Sequence, residues 1–462
     1  MTTLLLFRDD LRIHDNPALV AATRDEEDFV PLYVFDERDY GETRYGTEKT
    51  GGHRAQFVRE SVEDLRSSLR DRGGDLAVRR GKTENIIASL VDEYDAEEVV
   101  LQTKPATEEF ERERAVREAA RSEGAETRRF WTHTLHHIND LPTPPREMND
   151  TFTPWRKEVE ANNEPRETVG APETVETPTF DNPIPTLEEL GFNEEPTEDE
   201  RGALPFEGGE MRALERLNKY VWERDCLSEY KKTRNGLVGV DYSSKFSAWL
   251  ARGCLSPRRV YEEVKRYESE RVSNESTYWL IFELRWRDFF QFQFVKHGSD
   301  FFTSTGIRDV EKDWIEHGEL FERWCAGKTG VPFVDAAMLE LNATGYMSNR
   351  GRQNVASFLT DVLGVDWRLG AAYFEGELVD YDVCSNWGNW AYQAGVGNDS
   401  RDRYFNVLKQ AERYDVDGEY VRRWVPEKEA SPNPHEPYAP KGYDAPVVDV
   451  RAEYDRLARE RS

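Results

Sequence analysis

Apolar residues follow two rhythms along this chain, and the change of rhythm divides it. Over residues 1–130 short apolar runs stand at LLLF (4–7), PLYVF (31–35), LAVRR (76–80), EVVLQ (98–102) and TRRFW (127–131). Helical periodicity fills the gaps at 54–70, 83–94 and 107–122. In the first of these Phe57, Val58, Val62, Leu65 and Leu69 form one apolar helix face. Apolar runs without alternation suit strands buried on both faces. The alternation of strand and helix then predicts a parallel, doubly wound sheet with right-handed crossovers.

From Asn139 to about Pro205 the pattern fades into Pro, Thr and Glu, which predicts a long linker with a short helix near 154–160. After Gly208 only helical patterns remain. EMRALERLNKYVWERDCLSEYKKT (210–233) reads as one long amphipathic helix, and others are expected at 257–268, 275–296, 331–343, 350–362 and 367–375. The fold class expected is an α/β N-terminal domain with a parallel, Rossmann-like sheet, joined by a long linker to an all-α C-terminal domain. The boundaries are 1–135, 136–207 and 208–426, followed by a Pro-rich, charged tail at 427–462, expected to be partly disordered.

Composition changes this picture in three places. No apolar run approaches the roughly 20 residues that span a bilayer, and MTTLLLFRDD lacks the basic n-region of a signal peptide. Cys226, Cys254, Cys325 and Cys384 are scattered without metal-ligand spacing, as free thiols of a reducing cytoplasm would be; no metal site is expected. The formal charge of −28 would ordinarily argue against nucleic acid, but only 15 of the 62 basic residues are Lys, and acids are dense on every exposed face. That texture suits a halophile, whose salt screens long-range attraction to phosphate. Global charge therefore leaves DNA binding open.

Candidate chemistry concentrates in three stretches. In 345–393, Asn349, Arg352, Asp380, Asp382 and Asn386 stand among Trp367, Trp387, Trp390 and Tyr392, which predicts a pocket for a large, flat ligand with polar edges. Asp241–Ser247 joins a Gly-rich loop to a helix starting near Phe246; its hydroxyls and free N–H groups suit a diphosphate, or only cap the helix. On the helix YWLIFELRWRDFFQFQF, Glu283, Trp286, Arg287 and Phe290 share a face, either for a flat heterocycle or as an aromatic core stripe. No GxGxxG follows the first strand, so a dinucleotide held in the Rossmann manner is not expected. RDDLRIHDNPAL stands there instead, read as a salt-bridged structural turn.

At these residues the chain resembles the photolyase/cryptochrome family, and its cryptochrome-DASH branch in particular. The likeness runs from Leu4 to about Pro426. It is carried by FRDDLRIHDNPAL, KTGGHRAQF, YKKTRNGLVGVDYSSKFSAWLARGCLSPR, STYWLIFELRWRDFF, GYMSNRGRQNVASFL, DYDVCSNWGNWAY and GVGNDSRDRYFNVLKQAERYDVDGEYVRRWVPE.

The resemblance implies that the helical domain binds FAD. Tyr230 and the loop Ser243, Ser244, Lys245, Phe246 and Ser247 would hold its phosphates. Arg287, Asn349, Arg352, Asp380 and Asp382 would line the flavin, with Asn386 facing its N5. Trp390, Trp367 and Trp314 match the family's electron-transfer chain. The implied activity is light-driven splitting of cyclobutane pyrimidine dimers by an electron from excited FADH⁻, with the damaged pair flipped out or presented on a single strand. Glu283 would hydrogen-bond the dimer and Trp286 stack on it, with Asn349 beside both; Arg234 and Arg350 match positions that meet DNA phosphates. Tyr392 and Gln353 depart from many dimer photolyases as the DASH branch does, which implies a preference for single-stranded, UV-damaged DNA. Ser348–Gln353 holds no His, which disfavours (6-4) photoproduct chemistry. Glu108 or Glu109 would contact 5,10-methenyltetrahydrofolate, the branch's frequent antenna. A monomer is expected. Two other readings stay open: a blue-light photoreceptor that regulates transcription, weakened by the short stretch after Pro426, and a light-independent flavin oxidoreductase, for which no nicotinamide site is found.

Overall fold

The structure, a computed structural model, describes residues 2–23, 28–316, 318–399, 404–437 and 442–460; residues 400–403, inside the last of the resembling runs, lie outside it. Strands β1 (Thr2–Phe7), β2 (Phe29–Phe35), β3 (Ala77–Arg80), β4 (Ala96–Gln102) and β5 (Glu126–Phe130) form one parallel sheet in the order β3-β2-β1-β4-β5. Helices α1 (Pro17–Ala22), α2 (Gly52–Arg70), α3 (Thr83–Tyr94) and α4 (Thr107–Ser122) connect them.

Strands β1, β2 and the end of β4 read as apolar runs because both faces are covered there, while edge strand β5 has no buried residue. Leu4 and Leu6 of β1 pack with Ile87, Leu90 and Val116 under α3 and α4. Leu5 and Phe7 point the other way, into a core that holds Phe57 and Leu65 of α2 but also Leu217, Tyr220 and Trp249 from the second half of the chain. The two halves thus share apolar core.

The linker carries α5 (Phe152–Asn162) and is tied to the polar side of α2. Arg59 donates to Pro185 O, Arg66 to Asn182 O and Arg72 to Pro172 O (3.0, 2.7 and 3.1 Å). At its end Glu60, Ser61 and Asp64 accept in succession from the N–H groups of Gly208, Gly209 and Glu210.

The remaining helices are α6 (Glu210–Asn218), α7 (Tyr230–Thr233), α8 (Ser247–Ala251), α9 (Pro257–Glu270), α10 (Glu275–His297), α11 (Glu319–Cys325), α12 (Pro332–Thr344), α13 (Asn349–Ser357), α14 (Trp367–Glu377), α15 (Val383–Gln393), α16 (Val407–Tyr414), α17 (Glu419–Trp424) and α18 (Val450–Glu460). The long helix expected over 210–233 is broken. After α6 a wide π-type turn runs through Lys219–Glu223, and Asp225 sits at φ 56°, where its carboxylate takes bonds from Tyr267 and Arg271. Helix α15 was not foreseen at all. The expected helix at 350–362 changes to a wide turn after Ser357.

The tail is tied down where it is described: Tyr454 of α18 accepts from Val407 N–H (3.1 Å), and Tyr443 bonds Asp335. The RDDLRIHDN turn proves to be an interdomain clamp. Fully buried Arg12 donates to Gly253 O and Thr132 O, Asp15 binds Arg258, and Glu210 accepts from Ile13 and His14 N–H. Among the described residues no helix is long and apolar enough to cross a membrane.

Candidate functional site

The phosphate-loop residues lie between α7 and α8, and Arg216 of α6 fixes the loop's shape. It donates to Ser244 O (2.9 Å), Ser243 O (3.1 Å) and Val240 O (3.2 Å) and pairs with Asp241. A side chain at Gly236 would stand 2.6 Å from Tyr242 Cβ, so the turn beneath requires glycine. Lys245 adopts φ 60°, a costly conformation for a non-glycine residue. Its ammonium is buried, donates to Ser243 Oγ (3.2 Å), rests over the Tyr242 ring, and forms no ion pair among the described residues. Burial pushes Lys245 well below the usual lysine range, with Glu340 pulling back. A buried ammonium without a counter-ion is expensive, and a diphosphate would supply the missing charge. The donor set therefore fits the phosphates of FAD. Tyr230 is buried beside this loop, with Phe246 and Ser247 at the start of α8.

Deeper in, Arg352 of α13 grips both oxygens of Asp380 (2.9 and 2.8 Å) and donates to Met347 O. Asp382 caps α15 through Ser385 N–H (2.8 Å) and receives Gln291 Nε2 on both oxygens (3.0 Å each). Burial works against the charge on Asp382, but Arg287 and Lys104 override it and hold the carboxyl low. Arg287 itself spends its donors on the carbonyls of His133 and Leu250, so Gln291, not Arg287, is the hydrogen-bond partner of Asp382. Asn386 is anchored by Nδ2 to Ala371 O (2.9 Å). Sequence reasoning missed Arg216 and Gln291. Gln291 had a signal: a buried amide one turn after Arg287 in an otherwise aromatic helix.

The three expected tryptophans grade from inside to outside. Trp390 and Trp367 are buried and Trp314 is half-buried. Trp390 lies over Gly370, where an added Cβ would stand 2.3 Å from its ring. Trp367 and Trp314 both donate to Ser304 O (3.4 and 3.3 Å), which holds their indoles side by side.

The expected lesion-side residues gather on the outer part of α10 and its neighbours. Glu283 accepts from Arg234 and from Trp279 Nε1 (3.1 Å). Burial raises the Glu283 carboxyl while Arg234 lowers it, and the net shift is upward. Arg350 lies against the Tyr414 ring and donates to Asn235, next to Arg234 (2.9 Å). Asn349 is exposed at the start of α13, with Gln353 half-buried one turn on. Trp286, expected to stack on the lesion, is already packed on one side. Phe152, from α5 in the linker, already covers one face at 3.7 Å and 12°, and Tyr392 meets it edge-on at 6.1 Å. Only part of this indole is free.

A cavity of about 640 Å³ opens where the sheet meets the helical half. It lies beyond the carboxyl ends of β1 and β4, the point at which strand order reverses and where open α/β sheets take ligands. Asp9 pairs there with Lys104 and Arg252, and together they hold it below the usual carboxylate range against the penalty of burial. Glu109 is half-buried in the wall; Glu108 is exposed and tied to Lys49 at the rim.

A doubly wound domain is clamped here to a helical domain that holds a cluster of buried polar side chains and, in a polar loop, a buried lysine without an ion pair among the described residues. Comparison with known proteins says which class of flavoprotein this is. Residues 279–461 match the FAD binding domain of DNA photolyase, and residues 3–176 match DNA photolyase. The chain belongs to the photolyase/cryptochrome family, on its cryptochrome-DASH branch. A protein named cryptochrome DASH from Natronomonas pharaonis is 58% identical over 99% of this chain and 100% of that relative. One of the same name from Gloeobacter violaceus is 50% identical over 95% of this chain and 88% of its own length. The solved structure of a Synechocystis cryptochrome superposes with a TM-score of 0.95 at 43% identity, covering 100% of this chain and 99% of that one. A class III photolyase from Agrobacterium tumefaciens gives 0.83 at 29%, covering 99% and 97%.

Proposed function

We propose that this protein is a light-driven DNA-repair flavoprotein that splits cyclobutane pyrimidine dimers, with single-stranded DNA as the preferred substrate. The observation that carries the reading is the layout of α10. Glu283 and Trp286 meet the surface at one part of the helix, and Gln291 reaches Asp382 in the flavin cradle at another. Eight residues separate Glu283 from Gln291, about 12 Å of helix rise, so one rigid element sets the distance between lesion and flavin.

FAD bound in the cradle supplies the photoexcitable electron donor. The chain's own residues do the rest. Lys245 and the Ser243–Ser247 loop neutralise and orient the diphosphate. Arg352, Asp380 and Asp382 would hold the ring, with Asn386 facing it. Trp390, Trp367 and Trp314 return electrons from outside. Glu283 hydrogen-bonds the dimer, Arg234 moves to a backbone phosphate as it leaves Glu283, and Arg350 takes another phosphate. Because Phe152 occupies one face of Trp286, the lesion gains stacking from only part of that indole. Weaker stacking offsets less of the cost of flipping a pair from duplex, which favours single strands. The cavity at β1 and β4 would hold methenyltetrahydrofolate as antenna, with Glu109 better placed than Glu108 to contact it. The reading includes a monomeric protein of a high-salt cytoplasm.

The test illuminates the reduced holoprotein with near-UV light on dimer-containing oligonucleotides. Repair of the single strand is expected to exceed repair of the duplex by about tenfold. Absence of repair on both would transfer the assignment to a photoreceptor.

A further inference from the structure

Trp387 is a fourth indole that the expected chain leaves unused. Its ring centroid stands 5.7 Å from that of Trp367, edge to face at 76°. It lines the interdomain cavity, with the Tyr45 ring at 6.3 Å. What separates it from its neighbours is the acceptor on its N–H. Trp367 and Trp314 donate to a backbone carbonyl, Ser304 O, and Trp324, which lies 6.1 Å from Trp390, donates to Val355 O. A carbonyl cannot take a proton. Trp387 Nε1 donates to Glu375 Oε2 (3.3 Å) and to Tyr381 OH (3.3 Å). An indole that loses an electron becomes strongly acidic at N–H, and a carboxylate within hydrogen-bond reach can accept that proton.

We propose that Trp387 is a second terminus of the electron-transfer chain, at which the hole is trapped by proton transfer to Glu375. The inference rests on the electron-transfer role proposed above for Trp390 and Trp367. Trp387 gives one electron to the Trp367 radical cation, which returns to neutral indole. In the same step the Nε1 proton of Trp387 passes to Glu375 Oε2, leaving a neutral tryptophanyl radical beside a carboxyl group. A small thiol reductant entering the cavity supplies one electron to that radical, and Glu375 returns the proton. Trp314 leads outward to solvent, whereas Trp387 leads into the cavity between the domains. The trap needs Glu375 ionised. Burial raises this carboxyl above its ordinary value, Arg54, Tyr381 and Lys49 only partly offset the rise and Glu108 adds to it, so the trap shuts at a higher pH than a free carboxylate would set.

The experiment uses the FAD-loaded, oxidised holoprotein, with flash absorption and transient electron paramagnetic resonance to follow the tryptophan radicals. Trp314→Phe is expected to keep at least half of the wild-type yield of long-lived radical, with the spectrum of the deprotonated species. Adding Glu375→Gln should shorten that radical's lifetime about tenfold and remove the deprotonated spectrum, as should Trp314→Phe with Trp387→Phe. In Trp314→Phe the radical should also become short-lived as pH is lowered, because a protonated Glu375 cannot accept. FAD content and melting temperature report folding, and Glu375→Gln keeps the test open where Trp387→Phe disturbs packing. If Trp314→Phe abolishes the long-lived radical as completely as Trp367→Phe, the second terminus is wrong while the chain itself stands. If Trp390→Phe leaves the yield unchanged, the underlying chain is wrong and this inference falls with it.

Discussion

The proposed flavin cradle and the proposed lesion-side rim are built on different physical terms, although α10 runs through both. Around the expected ring, Arg352 and Asp382 are each held by more than one fixed partner. Arg352 holds Asp380 through two contacts and Met347 O through a third, and Asp382 accepts three hydrogen bonds, two from Gln291 and one from Ser385 N–H. On the rim Glu283 depends on Arg234 and Trp279, both part-exposed, and Trp286 is positioned by a ring from the linker. A site that must hold a permanent cofactor benefits from over-determined geometry. A site that must admit a bulky polymer benefits from partners that can leave.

The sharpest way to break this comparison is to strike the cradle. Asp380→Ala leaves the Arg352 guanidinium unpaired in a buried setting, and loss of one partner of such a pair costs about 3–5 kcal/mol. The expected outcome is near-complete loss of FAD with a large drop in melting temperature, read by flavin absorbance per protein and by thermal unfolding. Retention of flavin at wild-type level would show that the ion pair is dispensable and that the cradle is no more over-determined than the rim.

Phe152→Ala tests whether the linker belongs to the rim. Phe152 is buried and stacks face-on against Trp286 while touching Phe282 and Phe289 edge-on. Deleting a buried ring costs about 3 kcal/mol or somewhat more. FAD content should stay at wild-type level, because no cradle contact involves α5. Repair of single-stranded substrate should fall several-fold as Trp286 loses its orientation, measured by dimer loss under near-UV light. A parallel loss of FAD would mean that linker and cradle form one unit.

How much of this was legible follows the same divide. The helices at 83–94 and 107–122 and all five strands stand where they were expected. For β1, β2 and β4 the reason is that strands covered on both faces leave their signature in consecutive residues, whereas edge strand β5 has no buried residue. Pro332 and Gly345 bound α12, close to the expected 331–343, with the glycine at φ 66°. The residues proposed for the cradle were picked out through motif resemblance, since polar groups among aromatics stand out. Contacts between distant segments were not legible. Nothing in the sequence of the linker announces that Phe152 will cover Trp286, or that Arg59, Arg66 and Arg72 will hold its carbonyls, because backbone acceptors carry no residue identity. Helix α15 was missed because SNWGNW lacks an apolar stripe. Its Gly388 makes room for the Phe290 ring, which an added Cβ would meet at 2.3 Å. The break at Asp225 escaped notice because its cause, Tyr267 and Arg271, lies more than forty residues onward.

The smallest expected effect on the fold is at Glu283, and for that reason it separates the two regions most cleanly. The side chains of the Arg234–Glu283 pair are 24% and 29% exposed, and pairs that reach solvent contribute about 0–1 kcal/mol. Glu283→Ala should therefore leave FAD content and melting temperature almost unchanged while slowing dimer repair about tenfold. The pH dependence has a definite sign. The folded carboxyl titrates above its ordinary value of 4.5, so folding favours the protonated form. Stability from this group is fully present below the unfolded value and is lost as pH rises through the folded one. Glu283→Gln, neutral at every pH, should flatten that small decline in a thermal-melting series, and it should retain more repair than Glu283→Ala because the amide still hydrogen-bonds. Loss of FAD in either variant would place Glu283 within the cradle and erase the distinction between a site built to hold and a site built to yield.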